Sequence, residues 1–98
     1  MSNRVHGKQI LPLGQCYITP GARDAFIRSG ANPLHYLSRH ASGDWGDVCA
    51  EDKALNNQDV EAGNRILSAY HLSRTGQKIW IITEADRSAT TILLPDEY

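Results

Sequence analysis

What this sequence lacks narrows its function more than what it contains. No apolar run approaches the roughly 20 residues that a bilayer-spanning helix requires. The opening Met1-Ser2-Asn3-Arg4-Val5-His6 has no apolar core of the kind a secretory signal carries. Both absences predict a cytoplasmic protein without a membrane partner. A basic surplus is missing too, since ten Lys and Arg stand against eleven Asp and Glu, a net charge of −1. Non-specific nucleic-acid binding is driven by displaced counterions and normally needs excess positive charge. Any contact with RNA must therefore come from a local patch. There are only two cysteines, Cys16 and Cys49, far apart in the chain. In a reducing cytosol they are expected to be free and partly buried, filling core space. Repeats and low-complexity stretches are absent, and no histidine or cysteine spacing matches a metal-ligand motif. His40, Asp44 and Asp47 share one turn-rich segment, but His35 and His40, five apart, would not share a helical face. No metal and no cofactor are expected.

What is present organises itself around the last third. Residues 63–70, 78–84 and 89–95 are apolar, β-branched runs bounded by turn chemistry. Ser73-Arg74-Thr75-Gly76 has the length and glycine of a hairpin loop, and Glu84-Ala85-Asp86-Arg87-Ser88 suits a second one. Alternation puts Ile66, Ser68, Tyr70 and Leu72 on one face of the first strand, and Leu67, Ala69 and His71 on the other. Likewise Ile79, Ile81 and Thr83 oppose Trp80 and Ile82, and Ile92 and Leu94 oppose Thr91 and Leu93. Both faces carry large apolar groups, so both must be covered or one must bind a partner. Helices suit one face and the N-terminal segment the other. A homodimer through the second face, or a foreign partner, would serve equally well.

Ahead of the strands come helix signals. Thr19-Pro20 caps and opens a helix that Gly30 ends, with Ala22, Ala25 and Phe26 on its inner face. Asn32-Pro33 repeats the signal for a second helix, carrying Leu34, Tyr36 and Leu37 and stopping at Gly43. In the segment 43–47, two glycines flank Trp45, which is expected to plug the core edge with its indole N–H paired. Asp47 is placed to cap a third helix, roughly 50–62, with a thin apolar face of Ala50, Ala54, Leu55 and Val60 and early acids suited to a helix N-terminus. Gln15-Cys16-Tyr17-Ile18 reads as a short edge strand. The expected fold is a single α+β domain over residues 1–98: N-terminal helices, then a three- to four-stranded antiparallel β-meander.

Taken together, the blocks Arg39-His40-Ala41-Ser42-Gly43-Asp44-Trp45-Gly46-Asp47, Glu51-Asp52, Arg65-Ile66-Leu67-Ser68-Ala69-Tyr70, residues 80–88 and Thr91-Ile92-Leu93-Leu94-Pro95 resemble a family of small proteins of bacterial prophages, plasmids and integrative elements. The resemblance spans about residues 17–98. Members are commonly labelled plasmid-related proteins, and some as a subunit of a type I restriction enzyme. That second label implies methyltransferase chemistry, for which this chain is too short and lacks a glycine-rich turn after a strand. Helices followed by a meander also resemble, in architecture, the barnase–EndoU–colicin–RelE ribonucleases. Together these imply an accessory protein of a mobile genetic element whose partner is RNA or a host protein.

For the ribonuclease reading, metal-free cleavage needs an acid and base and a cation for the phosphorane. His40 is the titrating candidate because imidazole changes charge near neutral pH. Arg65 and Arg87 are the phosphate-holding candidates, and Ser68, Thr83 and Thr91 the orienting ones. The bland reading makes His40 a helix-end residue and the arginines loop residues. The alternative function is a non-enzymatic module that inhibits a host defence system by occupying a partner's surface.

Overall fold

Residues 9–98 are described by the computed structural model. They run β1 (Gln15–Ile18), α1 (Pro20–Ser29), α2 (Pro33–Ala41), α3 (Ala50–Ala62), β2 (Ile66–His71), β3 (Lys78–Thr83), β4 (Ala89–Leu93) and a 3-10 turn at Pro95–Glu97. The α+β class holds. The two hairpins fall at the predicted loops, where Arg74 and Arg87 take the positive φ values of 75° and 63°. The sheet is not purely antiparallel, however. Its order is β1-β4-β3-β2, and β1 pairs parallel to β4, with Tyr17 beside Thr91. A parallel neighbour needs a long connection, and here everything from α1 to β3 supplies it. The meander β2-β3-β4 is antiparallel, as alternation implied.

Local chemistry sets the helices. Thr19 accepts from the Ala22 N–H, Asn32 accepts from the Leu34 N–H, and a proline opens α1 and α2. The α1 N-terminus has no acid of its own; Glu97 of the 3-10 turn serves instead. Its carboxylate accepts from Thr19 Oγ1 and, at 3.1 Å, from the Gly21 N–H. A Cβ at Gly21 would lie 2.5 Å from that carboxylate, so glycine permits the clasp. These hydrogen bonds, Thr19 first, hold the Glu97 carboxyl below its usual pKa.

One face of the sheet meets α1 and α2 in a core of Phe26, Tyr36, Tyr70, Leu72, Ile79, Ile81 and Ile92. A second cluster of Leu11, Trp45 and Ile66, with Val60 beside it, extends the same face. The described N-terminal residues thus cover the helical face, not the opposite one. Leu11 is held there because the Ile10 and Leu11 N–H groups both donate to the Ala41 carbonyl. The opposite face is roofed from the C-terminal side. Tyr98 sets its ring 5.8 Å from Trp80, and the Arg65 guanidinium lies 5.4 Å from the Tyr98 ring. No helix among the described residues is long and apolar enough to cross a membrane.

Helix α3 departs most from expectation. Its one buried residue is Asn56, while Leu55 is exposed. Polar side chains dock it: Asn56 Nδ2 donates to the Leu67 carbonyl and Asn57 Oδ1 accepts from the Trp45 indole. Cys49, not Asp47, sits at its N-cap, without a side-chain bond. Asp47 Oδ2 instead lies 2.7 Å from His71 Nδ1. Both cysteines are exposed, contrary to the expected burial.

Candidate functional site

The end of α2 delivers His40 to the middle of the sheet, where it is 0 % exposed. Alternation on β2 and β3 aims Ser68 and Thr83 at the same point. His40 Nδ1 is 2.5 Å from Ser68 Oγ, and Nε2 is 2.8 Å from Thr83 Oγ1. Thr83 Oγ1 is 2.6 Å from Thr90 Oγ1, which donates to the Leu13 carbonyl at 2.7 Å.

This chain of contacts has one consistent proton arrangement. A carbonyl can only accept, so the Thr90 hydroxyl donates to Leu13. Thr90 then accepts from Thr83. With its own proton committed, Thr83 accepts from His40 Nε2–H. The neutral ring leaves Nδ1 as the acceptor, and Ser68 donates to it. Every member is satisfied, as a buried polar network requires. The edge-on indole of Trp45, with centroids 5.7 Å apart, closes the remaining side of the ring. Burial, aided by the positive charge of Arg87, lowers the His40 pKa to about 4. The ring is therefore neutral at pH 7.

The other predicted site residues go elsewhere. Thr91 shares the opposite face with Ile82, half-buried. Arg65 lies over Tyr98 on that face. Arg87 closes the β3–β4 hairpin and spends its guanidinium on main-chain carbonyls. It donates to Asn64 at 2.7 Å and to Asp59 at 2.9 Å, reaching Val60 and Glu84 as well. A cation is favourable at the Asp59 and Val60 carbonyls, in the last turn of α3. Arg39 binds Asp44 at 2.7 Å, with its guanidinium 4.6 Å from the Tyr70 ring. The hydrogen bond with Asp44 raises the Arg39 pKa and, in turn, lowers that of Asp44. Tyr70 donates to the Asp44 carbonyl at 2.6 Å, and burial raises its pKa.

His40, Ser68 and Thr83 are thus brought together, while Thr91, Arg65 and Arg87 are not part of that cluster. Thr90 and the Leu13 carbonyl complete it and were missed. Parity was the available signal: Thr90 lies two residues from Ile92 and so shares its face. Among the described residues, no group of three or more His, Cys, Asp and Glu is placed to hold a metal ion. No family model matches this chain, and comparison with curated proteins and with solved structures found no significant match.

Proposed function

We propose that this chain is a non-enzymatic protein-binding module, an accessory of a mobile genetic element that acts on a host defence protein by occupying its surface. The observation that carries the reading is the state of His40. A general acid or base must come within hydrogen-bond reach of the proton it moves. His40 has no exposed surface, and both of its ring nitrogens are engaged. The arginines weighed for phosphate do not converge: Arg39 pairs with Asp44, Arg65 lies over Tyr98 on the opposite face, and Arg87 donates to main-chain carbonyls of α3. Exposed apolar side chains are available for contact, each more than half exposed: Tyr17 on β1, Ile27 on α1, Leu34 on α2 and Leu55 on α3. The mobile-element context comes from the sequence resemblance.

The enzymatic reading draws on the convergence of His40, Ser68 and Thr83, and would need that cluster to open. One assay separates the two. Purified protein is incubated with total RNA, with and without chelator, beside a folded His40→Gln variant. Intact RNA in every lane is expected. Chelator-resistant cleavage that disappears in the variant would overturn the binding reading.

A further inference from the structure

β1 is an edge strand whose four residues are all exposed. Gln15 and Thr19 send their N–H groups to the Ser88 and Ile92 carbonyls of the parallel neighbour. In a parallel ladder the alternate residues then point away. Cys16 and Ile18 therefore direct N–H and C=O outward, and among the described residues nothing accepts or donates to them. Natural edges are usually blunted by charge, proline or a covering segment. β1 has neither charge nor proline, and nothing described covers it.

From this we infer that a second copy of the chain docks here. The two β1 strands pair antiparallel about a two-fold axis at Tyr17, giving one eight-stranded sheet. The strand complements its own image. Its outward groups sit one residue either side of Tyr17, so Cys16 faces Ile18 of the other copy and each pair exchanges two main-chain hydrogen bonds. The side chains fit in the same register. Cys16, Tyr17, Ile18, Pro33, Leu37 and Ile92 line an open groove of about 180 Å³ along the strand. The Ile18 side chain of the opposing copy arrives there, where Cys16 is too short to fill the space. No like charges meet at the axis, since β1 is uncharged. Arg23, the charged group beside the strand, lies at the Ile18 end. This inference does not rest on the host-partner reading, whose remaining exposed apolar residues, Ile27, Leu34 and Leu55, lie outside β1.

The test starts with the full chain under reducing conditions, by sedimentation equilibrium up to roughly 100 µM. The expected mass is twice 10.9 kDa, falling to the single-chain value in Ile18→Lys. A monomer throughout overturns the proposal, as does a dimer that Ile18→Lys leaves intact. The register is tested by cross-linking. In a Cys16→Ser, Cys49→Ser background, Tyr17→Cys places two thiols directly opposite at a non-hydrogen-bonded pair, about 4.5 Å between Cα atoms. Rapid oxidation to a covalent dimer is expected. Cys49→Ser alone leaves the diagonal Cys16 pair, beyond reach at about 7–8 Å, and should stay single. Reversal of that pattern, or no cross-link in a variant that still sediments as a dimer, contradicts the two-fold at Tyr17.

Discussion

The two edges of the sheet are finished in opposite ways. At β2 three of the four outward main-chain groups of Leu67 and Ala69 find partners within the chain. The Ala69 N–H donates to the Trp45 carbonyl at 3.1 Å, the Asp47 N–H to the Ala69 carbonyl at 2.6 Å, and Asn56 to the Leu67 carbonyl at 3.0 Å. Gly46 makes this seal possible. Its φ is 76°, and a Cβ there would lie 2.0 Å from the Ala69 oxygen. At β1, Cys16 and Ile18 have no such cover among the described residues. The sealed edge stands next to His40 and keeps water from the polar network. The open edge stands beside exposed Tyr17, Ile27 and Leu34. The difference is one of pairing: polar groups close much of the β2 side within the chain, whereas on the β1 side main-chain groups and apolar side chains stay open among the described residues.

Breaking the sealed edge should cost the most. Trp45→Ala removes a side chain that is 2 % exposed and opens the roof of His40. The expected loss is about 3–5 kcal/mol in urea unfolding. A midpoint unchanged from wild type would show that the loop does not seal the edge.

Acid should come next. The unfolded His40 ring binds a proton below its ordinary pKa of 6.5, whereas the folded ring resists until about pH 4. The unfolded state therefore holds more protons in that interval, and stability falls as pH drops through it. The full difference is about 3 kcal/mol, absent above pH 6.5 and complete below 4. Urea midpoints between pH 7 and 4 should show this slope, and His40→Gln should flatten it.

A smaller loss is expected on removing one polar strut. Asn56→Ala leaves the Leu67 carbonyl without its partner at the sealed edge, for about 1–2 kcal/mol. The same chemical denaturation measures it, and hydrogen exchange should quicken at Ala69 and Asp47. On the open side the effect should nearly vanish. Ile27→Ser alters a side chain that is 65 % exposed and should shift stability by no more than about 0.5 kcal/mol. A large loss there would mean the apolar rim of β1 is covered in the folded chain.

How far the sequence speaks depends on whether a residue's partner is local. Thr19-Pro20 and Asn32-Pro33 start their helices through bonds two or three residues away, so α1 and α2 were legible. The hairpins and faces of β2, β3 and β4 follow from alternation and turn residues. Trp45 was readable because a large aromatic between two glycines must go somewhere. What long-range partners decide was not legible. The parallel place of β1 depends on β4, over seventy residues on. Helix α3 docks through Asn56 and Asn57, so the thin apolar face that points Leu55 inward is not the face the helix buries. The Glu97 clasp ties the C-terminal turn to the start of α1, over seventy residues away. Within the site, residue type pointed to His40, Ser68 and Thr83. Parity along β4 separates Thr90 from Thr91; the register adds that Thr90 pairs directly with Thr83 and so completes the cluster.

The protonation of His40 tests the central claim most directly. Imidazole nitrogen NMR of the labelled full chain at pH 6 should show a neutral ring protonated at Nε2, with Nδ1 bare and accepting. That signal should hold until the pH nears 4. A ring that titrates near 6.5, with both nitrogens exchanging freely with water, would contradict the sealed network and return His40 to the list of residues that can do chemistry.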